Sequence, residues 1–188
     1  ASMVSSASTI EAERQVTVSA EATGQVTGLN AEEGDTVAAS DVLASLRRDT
    51  QATMLERAGV SVEKATQDLA RVKSLFAKGA ASAEEVANLE VTLRNAKLDL
   101  RDRRRDVRNT RVRAPFNGVV TERFVNTGAL VSSGAQLFTL TDFDSLVARI
   151  YVPERELARI SVGQQATVTS KAAVGRTVEG TVQRIAPV

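Results

Sequence analysis

The 188-residue chain has no cysteine, no histidine and no tryptophan, and it carries only two methionines, one tyrosine and three prolines. No disulfide, thiol nucleophile or imidazole base is therefore available to it, and the usual soft ligands for transition metals are missing together. Met3 and Met54 are too few and too far apart for a thioether site. Aromatic residues make up 3% of the chain, so a core has to be built from Val, Leu and Ala, which suits helical hairpins and small β-domains. Charge of one sign is also lacking. Against 23 Asp and Glu stand 24 Lys and Arg, a net +1, and no global field recruits nucleic acid or an acidic substrate. No apolar run approaches the ~20 residues of a membrane span, and no signal peptide is visible. No catalytic, cofactor-binding or metal-ligating set emerges from what remains.

What is present is a repeat. Residues 18–46 recur as 112–140 at a constant offset of 94 without a gap, with nine identities in 29 positions. Val18, Ala20, Gly24, Val26 and Thr27 return as Val112, Ala114, Gly118, Val120 and Thr121, and Gly34, Val37, Leu43 and Leu46 return as Gly128, Val131, Leu137 and Leu140. Each copy reads as short strands between turns, with glycine where a turn needs positive φ and apolar residues where a strand buries one face. A copy this short cannot close a core alone, so the two are expected to pack together.

The residues between the copies are helical in pattern. Leu55, Ala58, Val62, Ala65, Leu69, Val72 and Phe76 step 3-4-3-4-3-4. Val86, Leu89, Leu93, Ala96 and Leu100 do the same, skip Arg103, and resume at Val107. Sustained a/d spacing predicts a coiled-coil seam. Lys78-Gly79-Ala80-Ala81-Ser82 separates the runs, with a Gly suited to a helix C-terminus and a Ser82/Glu85 capping box opening the second helix. A connection this short makes the helices antiparallel neighbours, each arm of about 27 residues spanning roughly 40 Å. The run Arg101–Asp106 interleaves both signs and reads as a solvated helix face rather than a polyanion site.

The expected fold is α+β: a split lipoyl-like β-sandwich from 16–48 and 111–141, an antiparallel helical hairpin inserted at 49–110, and an incomplete small β-barrel from 1–15 and 142–188. Pro115 and Asn117-Gly118 mark a turn before a strand at Val119-Val120, and Thr141–Asp144 reads as a linker. A strand over Leu146–Val152, a short helix over Pro153–Ile160, and strands at about 165–170 and 176–185 leave open edges. The chain is expected to be part of a longer protein.

These residues resemble the periplasmic adaptor proteins, also called membrane fusion proteins or the HlyD family, and most of all the branch that serves RND efflux pumps. The likeness covers nearly the whole chain. It rests on Arg111-Val112-Arg113-Ala114-Pro115-Phe116-Asn117-Gly118-Val119-Val120, on Gly128…Val131…Gly134…Leu137-Phe138, and on Val152-Pro153-Glu154 with Gly163-Gln164. At the hairpin turn, Arg71, Leu75 and Ser82 stand at the R-x₃-L-x₆-S spacing of family members that dock on TolC-type outer-membrane channels. Arg71 and Leu75 are also i, i+4 neighbours off the seam.

The resemblance implies a non-enzymatic adaptor without cofactor, bridging an inner-membrane RND transporter to a TolC-like channel for export of drugs or other small organic compounds. It implies a trimeric or hexameric homo-oligomeric ring, a periplasmic location on the inner membrane of a Gram-negative bacterium with the anchor outside this sequence, and no nucleic-acid partner. Val152, Pro153 and Glu154 would face the transporter. An adaptor for an ABC exporter or type I secretion system is the second reading. A lipoyl or biotinyl carrier is remote, because about 60 helical residues replace the carrier's turn and no Lys sits at Arg47-Arg48 or Thr110-Arg111.

Overall fold

The computed structural model describes residues 9–157, 159–169 and 177–186. The elements run β1 (Thr9–Ser19), β2 (Gly24–Leu29), β3 (Thr36–Val37), β4 (Val42–Leu46), α1 (Asp49–Ala77), α2 (Ala83–Asn109), β5 (Arg111–Arg113), β6 (Gly118–Arg123), β7 (Leu130–Val131), β8 (Gln136–Arg149), α3 (Glu154–Leu157), β9 (Gln165–Thr169) and β10 (Thr177–Thr181). Chain contacts gather into two units, Ala12–Leu146 and the remainder, each taken by itself below.

The repeat becomes a pair of four-stranded sheets, ordered β1-β8-β6-β3 and β5-β4-β2-β7. Moving each strand by the 94-residue offset turns one order into the other. Each sheet takes its two inner strands from one copy and its two edge strands from the other, so neither copy can fold alone. The hydrogen bonds repeat as well. The Gly34 amide donates to the Val120 carbonyl and the Gly128 amide to the Val26 carbonyl, both at 2.8 Å. Between the sheets lie repeat mates in pairs: Val26 with Val120, Val37 with Val131, Leu43 with Leu137 and Leu46 with Leu140, all buried. Apolar burial of this kind, at about 25 cal/mol per Å², holds together a core whose single large aromatic is Phe138.

The symmetry exposes one strained residue. Ser40 has φ 74°, where its repeat mate Gly134 has φ 90°. Both amides donate into equivalent turns, Ser40 to the Ala114 carbonyl at 2.8 Å and Gly134 to the Ala20 carbonyl at 2.7 Å. A side chain in the left-handed region costs about 1–2 kcal/mol, partly offset by the lower unfolded-state entropy of a non-glycine residue. Ser40→Gly is expected to raise stability by about 0.5–1 kcal/mol, read as a rise in Tm of a few degrees. An unchanged or lower Tm counts against the strain.

The hairpin leaves and re-enters the sheets at one place. Leu46 N–H donates to the Thr110 carbonyl at 2.7 Å, and Ser45 pairs with Arg111 across β4 and β5. Joining ends already held together costs little loop entropy. Replacing residues 50–108 with a short Gly-rich turn is therefore expected to leave a cooperatively unfolding β-unit, checked by chemical denaturation. A non-cooperative transition would show that the sheets need the hairpin.

In the hairpin, Ala58, Ala65 and Leu69 of the predicted seam are buried in α1, and Val86, Leu89, Leu93, Ala96 and Leu100 of α2 are half-buried. Phe76 departs from that expectation and is 48% exposed. The Lys73–Glu90 bridge, at 2.7 Å, joins the two helices one turn before Phe76. The arginine run is laced internally: Arg103 contacts Asp99 and Asp106, and Arg105 contacts Asp102, all at 3.3–3.6 Å.

A second departure concerns Thr141–Asp144, read as a linker. β8 runs unbroken through it, and the strand expected to reach Val152 ends at Arg149. The polar residues that suggested a linker are satisfied inside the strand. Arg14 donates Nε and Nη2 to Asp142 Oδ2 at 3.1 and 2.6 Å, and Asp142 Oδ1 accepts the Asp144 amide at 3.0 Å. The Arg14 guanidinium also lies 5.2 Å from the centre of the Phe116 ring. Gly24 and Gly118 are a third departure. Each opens a strand, and neither is among the positive-φ positions.

In the other unit, β9 and β10 form an antiparallel ladder from Gln165↔Thr181 to Thr169↔Thr177. Gly163 N–H donates to the Val182 carbonyl and Val182 N–H to the Gln164 carbonyl. Pro153 precedes α3, as a residue with fixed φ and no needed donor suits a helix start. Residues 1–8 of the expected incoming segment, and positions 170 and 176 of the expected strands, lie outside the described residues.

Candidate docking site at the hairpin tip

Sequence builds the tip through its caps. α1 ends in a Schellman arrangement: Ala80 N–H donates to the Leu75 carbonyl and Gly79 N–H to the Phe76 carbonyl, both at 2.9 Å, with Gly79 at φ 74°. α2 starts at Ser82, whose Oγ accepts the Glu85 amide at 3.1 Å while Glu85 Oε2 accepts the Ser82 amide at 2.8 Å. With the orphan donors and acceptors answered locally, the turn keeps its shape without help from other parts of the chain.

Of the predicted tip residues, Leu75 is 40% exposed and sits on the last turn of α1. Arg71, one turn back, is exposed and pairs with Asp68 on its own helix. An exposed i, i+3 pair contributes little, so the guanidinium is free to exchange partners. Ser82 is committed to the cap, and its hydroxyl also approaches Glu85 Oε2 at 3.2 Å. Phe76, which periodicity assigned to the seam, joins Leu75 at the surface. The spacing of the residues carries no signal of that exposure. The tip therefore presents two large apolar side chains beside a cation, at the end of a lever of roughly 40 Å.

Elsewhere the chemistry is structural. Among the described residues, Asp142 and Glu90 are the carboxyls displaced from their ordinary values. The Arg14 hydrogen bond holds Asp142 low against the opposing effect of desolvation, helped by the Asp144 amide, and the Lys73 hydrogen bond and charge hold Glu90 low. Asp142 thus stabilises the fold above the ordinary carboxylate range, and that contribution is lost as pH falls through its depressed folded-state value. Urea unfolding followed from neutral to acid pH is expected to show a steeper loss of stability for the wild type than for Asp142→Asn. Parallel curves would dismiss the pair as a stabiliser. Among the described residues no group of three or more Asp and Glu could hold a metal ion, and no helix is long and apolar enough to cross a membrane. Val152 is half-buried and Pro153 exposed, while the Glu154 side chain lies outside the described residues.

Residues 14–142 match the family model described as CzcB-like, barrel-sandwich hybrid domain, and residues 148–188 match that described as CusB-like, beta-barrel domain. The chain belongs to the membrane fusion proteins, the periplasmic adaptor family, in its CzcB-like barrel-sandwich hybrid form. It is 32% identical over 139 residues to the UPF0194 membrane protein in asrC 5'region of Acidithiobacillus ferridurans, covering 74% of this chain and 40% of that one. It is 28% identical over 187 residues to the nickel-cobalt-cadmium resistance protein NccB of Alcaligenes xylosoxydans xylosoxydans, covering 92% and 46%. The chain thus spans less than half the length of these two relatives. A MacA-MexA chimeric protein carrying the Pseudomonas aeruginosa MexA α-hairpin domain shares the fold, with a TM-score of 0.85 at 22% identity over 96% of this chain and 66% of that one.

Proposed function

We propose that this chain is the hairpin-bearing part of a periplasmic adaptor that couples an inner-membrane RND transporter to a TolC-like outer-membrane channel. One observation carries the reading. A hairpin tip capped at both helix ends exposes Leu75 and Phe76 beside Arg71, far from the β-domain that anchors it. The adaptor performs no chemistry: it bridges, seals and transmits movement, in a ring of three or six copies tethered to the inner membrane by parts outside this sequence. Arg71 and Leu75 contact the channel, and Ser82 holds the turn that presents them. The segment Val152-Pro153-Glu154 faces the transporter.

The cargo we assign is small organic compounds. The relative named for nickel, cobalt and cadmium resistance favours metal ions instead. The residue types weigh against metal handling by this chain, since it has no His or Cys, and its two Met are 51 positions apart. Deleting the gene in its host and restoring the full-length protein tests both readings. Restored resistance to detergents, dyes and antibiotics without change towards nickel, cobalt or zinc is the expected result. Restoration towards metals alone would replace the organic assignment.

A further inference from the structure

Along the chain the charges of Arg101–Asp106 interleave, but around the axis of α2 the two signs separate. Arg94, Lys97, Arg101, Arg104 and Arg108 each stand one step past a seam position and are spaced 3-4-3-4. At 100° per residue they fall within an arc of about 80° and run for roughly 21 Å. Asp99, Asp102 and Asp106 all lie outside that arc, where they hold Arg103 and Arg105. Every cation of the row is exposed. None of them takes part in an ion pair among the described residues.

The other helix does not neutralise this row. The Lys73–Glu90 bridge joins two residues that also stand one step past the seam, so that step points to the same side of the hairpin on both helices. On α1 it carries Glu56, Gly59, Glu63, Thr66, Ala70 and Lys73. Glu56 and Glu63 are the acids there, and neither joins an ion pair among the described residues. Positive charge is therefore in excess along this flank. Like charges at i, i+3 and i, i+4 destabilise a helix, so the free hairpin carries a repulsion that an anionic partner relieves.

We infer that this row binds a linear polyanion, the carboxylate-bearing glycopeptide of the cell wall. The inference rests on the adaptor reading for its setting, since a bridge between two membranes passes through the wall, and on the row for its chemistry. Guanidinium forks pair with carboxylates through two parallel hydrogen bonds. The cations are strung along the axis on a convex surface, about one helical turn apart. They cannot converge on one small anion, whereas the repeated carboxylates of a polymer meet them in turn. A lipid surface fits less well. A helix that lies on a membrane sets a broad apolar face with large side chains beside its basic one; α2 has no aromatic residue, and its apolar seam is turned to α1. Contact along the row leaves Leu75 and Phe76 free at the tip.

Co-sedimentation of the purified full-length protein with insoluble wall sacculi tests the inference. Binding is expected, and it weakens as salt rises. Arg101→Glu with Arg104→Glu is expected to lower affinity about tenfold or more. Arg101→Gln with Arg104→Gln keeps good helix formers and is expected to lower it about threefold or more. Arg57→Glu with Lys64→Glu makes the same change of net charge on the opposite flank and is expected to cost no more than about twofold. Amidation of the wall carboxylates is expected to abolish binding, and circular dichroism checks that each variant keeps its helices. Absence of binding overturns the inference, as do equal losses from the two flanks, indifference to amidation, or binding to anionic phospholipid vesicles alone. Row-dependent binding by a protein whose deletion changes no resistance upholds the wall contact and removes the adaptor reading. No binding by a protein on which resistance depends does the reverse.

Discussion

Leu75→Asp is expected to abolish channel coupling and resistance in cells while leaving secondary structure and melting temperature nearly unchanged. Leu75 is 40% exposed and lies off the seam, so the isolated fold gains little from it. At a docked interface the same side chain is covered, and a carboxylate there is desolvated without a partner at a cost of several kcal/mol. Arg71→Ala is expected to weaken coupling more mildly, because the guanidinium supplies hydrogen bonds and already has Asp68 as an alternative partner. Leu69→Asp supplies the contrast. Leu69 is 8% exposed between the helices, so a charge at that position melts the hairpin and loses function for a different reason. Circular dichroism separates the two variants, and cross-linking to the channel with resistance assays reads coupling. Full resistance and intact cross-linking in Leu75→Asp would end the docking assignment.

Gly118→Ala is expected to destabilise the β-unit by about 2–4 kcal/mol, whereas Gly24→Ala changes stability by less than about 1 kcal/mol. The two glycines are repeat mates and each opens a strand, so a reading of the motif treats them alike. Their surroundings differ. A Cβ on Gly118 would sit 2.7 Å from the Thr141 carbonyl oxygen and 3.2 Å from its carbon, with the Phe116 ring at 3.3 Å. Thr141 is backbone-paired with Val119 in β8, so that carbonyl cannot yield without opening the ladder. A Cβ on Gly24 would meet the Arg47 carbonyl and the Leu46 Cβ at 3.4 Å, an ordinary contact. Denaturation curves of the two variants decide the matter, and equal losses would reject the close approach as the cause.

Much of this molecule was legible along the chain because its signals are local or periodic. The offset of 94 marks the paired sheets, the 3-4 spacing marks the hairpin, and Gly79, Ser82 and Glu85 mark its turn. Leu75 and Arg71 could be placed off the seam by counting, since a helix carries its faces in the spacing of its residues. Ser82 could be read as a cap for the same reason.

Other features belong to distance in space, which spacing does not carry. That each repeat copy lends its edge strands to the other's sheet is a matter of long-range pairing, and no residue of Leu130-Val131 announces Gly24 and Gln25 as its partners. Asp142 looked like linker polarity because its partner, Arg14, is 128 positions away. Phe76 looked like core because periodicity assigns a face without knowing how much of it the facing helix covers. Gly118 is constrained by a carbonyl on a neighbouring strand, and Ser40 by a turn that its repeat mate fills with glycine. The sequence by itself determined the repeat, the two long helices and the caps that end one and open the other, because those signals are local or periodic. The tertiary structure decided which strands pair, which polar groups are satisfied by burial, and which apolar side chains remain in water, because those depend on what lies opposite.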